Sequence, residues 1–359
     1  MSSGFSVVDP RTSVLPVASS SAAPLRVVCF GGGTGLSTVL RGLKHHVARG
    51  RSQGAAEIES ITAVVSVMDD GGSSGRLRSD LGMLPPGDIR NCLVALADDE
   101  ALLARLFDYR FSSGPGLAGH SLGNLMLAAL AGMTRDFAQA VKLSSLMLAT
   151  RGRVLPATMQ PAHLAALLAD GTTVIGESNI GAARAPIQRV SLLPQDCAPL
   201  PETLEAIANA DLITIGPGSL FTSLVPHLLV RGIPEAIAAS RAAKVFVCNI
   251  MTQPNETLGL TAAGHLRAVH AHSLPALFDT MLVNSAPLSA ELIARYAEEG
   301  SAPVTYDAAE LRALGVSVIN DDFAADAMVA RHNPHRLAAS LLRIALDHRS
   351  TSTALPLAA

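Results

Sequence analysis

Between Val65 and Arg78 the chain reads VSVMDDGGSSGRLR. Apolar residues run straight into two acids, three glycines, two serines and two arginines. Asp69 and Asp70 supply oxygens for acid–base chemistry or for a cation. Gly72, Ser73 and Ser74 offer backbone amides and hydroxyls to an anion. Arg76 and Arg78 supply guanidinium forks that match a phosphate. Mg²⁺ favours carboxylates together with phosphate oxygens, so all these groups suit one charged, phosphorylated ligand. Structural ion pairing of the acids with the arginines is the competing reading.

Other loops carry matching chemistry. CFGGGTGLS, from Cys29 to Ser37, places Gly32, Gly33, Thr34 and Gly35 between an apolar run and a helical pattern, where bare amides at a helix start can meet an anion. It is not a Walker A loop, because no Gly-Lys-Ser/Thr follows. It is not a G-x-G-x-x-G fingerprint either, since Leu36 takes the third glycine position and no ribose-binding acid stands about 20 residues on. A tight turn with no ligand is the alternative. IGPGSLFTS, from Ile215 to Ser223, repeats the arrangement with Gly216 and Gly218, and Ser219 is placed to cap the next helix. NIMTQPNET, from Asn249 to Thr257, adds Asn249, Thr252 and Gln253. In PPGDIRNCLVALA, Asp88 is placed to cap a helix whose first turn holds Arg90 and Asn91. An arginine there opposes the helix dipole unless an anion sits nearby, with Asp88 as a rival partner.

GHSLG, from Gly119 to Gly123, matches the G-x-S-x-G of serine hydrolases. That elbow needs a strand before it. RFSSGPGLA precedes it instead, and a helical pattern follows. His120, Ser121 and Asn124 therefore read as ligand contacts or caps at a loop-to-helix junction, and Ser121 is not a nucleophile.

The elements that position these loops follow from periodicity. LRVVCF (25–30), ITAVVSV (61–67), DLITIGPGS (211–219) and KVFVCNI (244–250) read as buried strands, with TMLVN (280–284) and GVSVIN (315–320) outside them. Helical spacing falls at 35–47, 218–230, 261–272, 289–299 and 334–347. Continuous apolar strands alternating with helices predict an α/β fold: a Rossmann-like, doubly wound, mostly parallel sheet. Ligands bind such sheets at the carboxyl ends of the strands, where these loops lie. The expected organisation is one domain over 25–349, with a helical segment at about 87–149 and a β-rich insertion at about 153–193. That insertion is read from RVLPAT, TTVIGES and IQRVSLL. Residues 1–24 and 350–359 read as disordered tails.

Composition narrows the function. The chain has 359 residues, 49% hydrophobic but only 3% aromatic, so aliphatic side chains must build the core. Net charge is -3, and no basic stripe interleaves with aromatics, which argues against nucleic acid. Four scattered cysteines form no metal or disulfide pattern and fit a reducing cytoplasm. No apolar run reaches the roughly 18 residues of a membrane span, and no secretory signal is expected.

In order, CFGGGTGLSTVLRGL, VVSVMDDGGSSGRLR, PPGDIRNCLVAL, GHSLGNLMLAAL, IGPGSLFTSLVPHLLV and CNIMTQPNET resemble the gluconeogenesis-factor family, the YvcK-like branch of the CofD-like superfamily. The resemblance covers about 25–347. It implies a cytoplasmic bacterial protein needed for growth and cell shape on gluconeogenic carbon sources, which binds UDP-linked N-acetylhexosamines. Regulatory protein partners and a homodimer are compatible with it. The enzyme branch, similar to 2-phospho-L-lactate transferase, implies the alternative: a Mg²⁺-dependent transferase in which Asp69 and Asp70 hold the metal. The second acidic motif of that branch is altered here, with Asp88 as one acid and Arg90 close by. Arg331, in ARHNPHRLA, matches the family's ligand-binding arginine. Asn255 replaces a family glycine, and Leu260 stands where an aromatic is expected against the nucleotide sugar. A dinucleotide-binding protein is a third reading.

Overall fold

The computed structural model of the protein describes residues 23–47, 57–98, 102–325 and 328–354. Residues 1–22 and 355–359 of the expected tails lie outside these residues, while the last helix, Pro334–Ala354, runs into the stretch read as the C-terminal tail. The main sheet has seven strands among the described residues, in the order β10-β9-β8-β7-β1-β2-β3, and every pairing in it is parallel. The strands are β1 (Leu25–Gly31), β2 (Ile58–Val65), β3 (Arg153–Pro156), β7 (Leu212–Ile215), β8 (Ala243–Val247), β9 (Thr280–Asn284) and β10 (Ser317–Asp321). Every side chain of β7, and all of β1 except Arg26, is buried. Helices cover both faces, as the unbroken apolar runs require.

A smaller antiparallel sheet sets β4 (His163–Leu168) between β5 (Thr173–Ile175) and β6 (Ile187–Leu193). This corrects the reading of the insertion at its start. RVLPAT does not belong to it: Arg153–Pro156 pairs parallel with Thr62–Val65 and forms the edge of the main sheet. HLAALL, which has no β-branched residue, takes the central place in the small sheet, where pairing on both sides overrides weak local preference.

Helix α1 (Gly33–Leu43) buries Leu36, Val39, Leu40 and Leu43 at helical spacing against β1 and its neighbours. VSVMDDGGSSGRLR does not stay a loop: α2 (Gly72–Leu81) starts inside it. The segment expected to be helical holds α3 (Gly87–Leu96), α4 (Leu102–Asp108), α5 (Leu122–Thr134) and α6 (Phe137–Met147). The short helix α7 (Glu177–Gly181) sits in the insertion. The helix expected at 218–230 starts instead as a wide π turn over Leu220–Leu224, followed by one α turn at Val225–Leu228. That turn carries His227, which is fully buried and donates its Nε2–H to the Gly31 carbonyl at 2.9 Å. Burial pushes the His227 pKa down to about 4, so the neutral ring ties the second glycine loop to the end of β1.

Gly42 shows how tightly these layers close. A Cβ there would lie 2.0 Å from the Pro334 carbonyl oxygen and 2.9 Å from Ala338 Cβ. Alanine normally favours a helix interior over glycine by about 1 kcal/mol. Here a backbone oxygen cannot yield, and overpacking of this kind costs about 1–3 kcal/mol. Gly42→Ala should therefore lower the thermal midpoint. A rise would show that the terminal helix is not packed on α1 as described.

Candidate functional site

A cavity of about 540 Å³ opens at the carboxyl edge of the main sheet. Twelve of the residues singled out in the sequence line it: Gly32, Gly33, Thr34, Gly35, Asp69, Asp88, Gly218, Ser219, Asn249, Thr252, Gln253 and Arg331. They come from loops after β1, β2, β7, β8 and β10, separated by up to 299 positions between Gly32 and Arg331.

Backbone contact and side-chain clamps hold the loops in place. A Cβ on Gly35 would lie 2.1 Å from the Pro217 carbonyl oxygen, so the first turn of α1 rests directly on the loop after β7. Asn249 accepts the Gly218 N–H at 3.0 Å and donates to the Gly218 carbonyl at 2.8 Å. Gln253 donates to Ser219 Oγ at 2.8 Å, so Ser219 is held by Gln253 and caps no helix. Glu256 accepts the Thr222 hydroxyl at 2.7 Å and the Phe221 N–H at 3.4 Å. Burial raises its pKa, which those hydrogen bonds oppose. At the start of α1, Gly32 provides no side-chain cap and the first turn has no acid of its own, so its amides need partners from elsewhere, and Gly32 to Gly35 line the cavity.

Three carboxyl groups gather on one flank. Asp69 accepts the Gly71 N–H at 2.9 Å. Asp88 does not cap α3. It reaches across to the Gly33 N–H, and its Oδ2 would be 2.5 Å from a Cβ on Gly32. Burial, then the Asp69 charge, push the Asp88 pKa up to about 6. Glu177 enters from α7 and lines the same cavity. Burial first, then Asp69 and Asp88, raise its pKa to about 8, and its protonated carboxyl is hydrogen-bonded to Asp69.

The remaining sequence candidates stay outside the cavity lining. Asp70 turns away and accepts the Ser178 N–H at 2.9 Å, anchoring α7. Once α2 forms, its first turn directs Gly72, Ser73, Ser74 and Arg76 elsewhere. Ser73 Oγ meets His120 Nδ1 at 2.8 Å and accepts from Asn124 at 3.0 Å. Ser74 accepts the Gly87 N–H at 3.1 Å. Arg76 donates to the Ala118 carbonyl and Arg78 to that of Ala162. Arg90 is buried between Asp108 and Asn91, at 2.5 Å from each, so the anion it meets is the Asp108 carboxylate and not a ligand in the cavity. Gly216 stands behind the loop, where a Cβ would meet the Val247 carbonyl oxygen at 2.6 Å. Ser121 accepts the Asn124 N–H as the cap of α5.

Several lining residues escaped sequence reasoning: Thr38, Glu177, Ser223, Tyr296, Glu299, Ser301 and His332. Tyr296 bears on the aromatic that Leu260 lacks. Leu260 is outside the cavity, whereas the Tyr296 ring lines it, with Tyr296 Oη accepting the Ala330 N–H at 3.1 Å. The other departure has a local cause. Asn255 adopts φ 64, a left-handed conformation that asparagine tolerates nearly as well as glycine, and its amide donates to the Gly181 carbonyl at the end of α7.

The Glu177 shift has a signed consequence. Its folded pKa of about 8 lies above the ordinary 4.5, so the folded protein holds a proton that the unfolded chain releases between those values. Stability from this group is complete below pH 4.5 and is lost as pH rises through 8. Glu177→Gln should thus be more stable than wild type at pH 8, with no gain at acid pH, since glutamine has no proton to lose. Urea titrations that give the same difference at both pH values would contradict the buried acid pair.

The family described as 2-phospho-L-lactate transferase CofD matches residues 27–324. A protein named gluconeogenesis factor from Halalkalibacterium halodurans is 50% identical over 317 residues, covering 88% of this chain and 95% of its own length. The gluconeogenesis factor of Bacillus subtilis is 48% identical over 318 residues, covering 88% of this chain and 97% of its own. A crystal structure of a UPF0052-family protein from Bacillus halodurans aligns with a TM-score of 0.84 at 49% identity, over 89% of this chain and 100% of that one. The sheet order, the paired glycine loops and these likenesses agree: the chain belongs to the CofD family, in its gluconeogenesis-factor branch.

Proposed function

We propose that the cavity binds a nucleotide sugar of the UDP-N-acetylhexosamine type and that the protein is a cytoplasmic regulator needed for growth and cell shape on gluconeogenic carbon. The observation that carries this reading is the meeting of two glycine loops over one cavity. The Thr34 and Gly35 amides at the start of α1 and the Ser219 amide suit a diphosphate, which a helix N-terminus also attracts. Sheet order sets the flanks. The acids follow β2 and the insertion, while Tyr296 and Arg331 follow β9 and β10 on the other side of the glycine loops. An aromatic ring and a guanidinium suit a nucleoside and its phosphate, and carboxylates suit sugar hydroxyls. Binding would then bias a surface read by regulatory protein partners, in a monomer or a homodimer. Among the described residues no helix is long and apolar enough to cross a membrane.

The acidic flank supports a second reading, a Mg²⁺-dependent transferase acting on a nucleotide-activated phospho-acid. Asp69, Asp88 and Glu177 line that flank and Glu299 the opposite one, with Arg331 the single lining guanidinium among the described residues. Asp70 is occupied with Ser178, so Mg²⁺ would be held by Asp69 and Asp88 rather than by the adjacent pair. Among the described residues no three His, Cys, Asp or Glu side chains form a metal cage, so phosphate and water oxygens would complete the shell. The ion would neutralise charge on a transferring phosphoryl group.

Thermal shift against nucleotides, nucleotide sugars and dinucleotides, with Mg²⁺ and with EDTA, separates these readings. A specific ligand at 100 times its Kd adds about 2.7 kcal/mol. UDP-N-acetylhexosamines should give the largest shift, and the shift should persist in EDTA. Arg331→Ala should weaken binding by about 1.5–3 kcal/mol, the worth of a charge-assisted contact, while Arg76→Ala should leave it nearly unchanged. Affinity that collapses in EDTA would favour the transferase.

A further inference from the structure

We propose that His332 is a specificity-determining residue: a neutral imidazole that accepts a hydrogen bond from an O–H or N–H of the ligand's nucleoside. The inference rests on the nucleotide-binding reading above. His332 lies in a pinned segment. Ala324 and His332 form an antiparallel bridge, Ala325 N–H donates to the Arg331 carbonyl at 2.8 Å, and Asn333 N–H to the Phe323 carbonyl at 2.7 Å. The residue is only 6% exposed, yet it lines the cavity beside Arg331.

Its ring has one backbone partner, Cys248 at the end of β8. That contact favours the protonated nitrogen, so the backbone group is the carbonyl and the ring donates to it. Burial pushes the His332 pKa down to about 4, and a neutral imidazole that donates from one nitrogen must accept with the other. No side-chain partner occupies that acceptor among the described residues, and His332 is not among the side chains with a sealed, unpartnered polar atom.

Two other buried histidines, His227 on Gly31 and His265 on Thr261, also hold one backbone carbonyl and leave the second nitrogen unpartnered, but they seal it in the interior; His272 is bonded at both nitrogens, to Ala268 and Val190. None of them lines the cavity. His332 instead shares the flank of Tyr296, the flank that the nucleotide reading assigns to the nucleoside. A fixed acceptor there rewards ligands that present a donor and leaves an unpaired buried nitrogen to those that do not.

Calorimetry with UDP-N-acetylglucosamine, UDP and inorganic pyrophosphate on wild type, His332→Phe and His332→Gln tests this. His332→Phe keeps the ring's bulk and removes the acceptor. It should weaken UDP and UDP-N-acetylglucosamine by the same factor, about tenfold, and leave pyrophosphate unaffected. His332→Gln, which restores an acceptor, should recover most of the loss. An equal loss for pyrophosphate would mark a structural role, and unchanged UDP affinity in His332→Phe, or no recovery in His332→Gln, would also overturn the assignment. Wild-type protein that binds pyrophosphate but neither nucleotide would instead bring down the nucleotide reading, and the role of His332 with it.

Discussion

The site depends on one close approach of backbone to backbone. Gly35, in the first turn of α1, rests on the Pro217 carbonyl with no room for a Cβ. The approach exists because β1 and β7 are parallel neighbours, registered from Val27 with Leu212 to Phe30 with Ile215, so both release their glycine loops at the same height. Everything nearby reinforces it. Asn249 grips both polar atoms of Gly218, Gln253 fixes Ser219, Glu256 holds the turn that follows, and His227 ties that turn back to β1. An anion cradle of amides works only if it is rigid before the ligand arrives, and these buried contacts supply that rigidity.

Charge is arranged differently from what the arginine-rich motifs suggest. Arg76, Arg78 and Arg90 hold the scaffold, and Arg90 is buried against Asp108. The cavity itself carries carboxyl groups whose proximity raises their affinity for protons. A diphosphate would therefore be held by amide dipoles and Arg331, with protons or a cation offsetting the acids. Asp70 and Asn255 both reach α7, so the insertion that contributes Glu177 is braced from the main sheet on one side and from the loop after β8 on the other.

Much of this was legible in the sequence, for a physical reason. Strand-then-glycine-then-helix is a local pattern, and LRVVCFGGG, DLITIGPGS and the run into Asp69 each placed a loop at the correct edge. What failed was non-local or depended on helix phase. Asp69 faces the cavity and Asp70 turns away because one residue reverses direction as the strand gives way to α2, and spacing alone does not set that phase. Asp88 was expected at a helix cap, yet it serves the amide of a different helix. Glu177 and Tyr296 carry no motif, and His332 stands beside Arg331 in ARHNPHRLA without a signal of its own. They reach the cavity only through the pairing of the insertion and of β9 with β10, which no local window contains. RVLPAT was misplaced because its partner, β2, lies 91 positions earlier, as in the pairing of Thr62 with Arg153.

The central claim is that the two glycine loops form one diphosphate cradle. A crystal structure with bound UDP-N-acetylglucosamine tests it most directly. The account predicts diphosphate oxygens within about 2.7–3.2 Å of the Thr34 or Gly35 amide and of the Ser219 amide, with the nucleoside on the Tyr296 flank. Diphosphate density against the Ser73–Arg76 turn of α2, or contact with only one of the two loops, would contradict it.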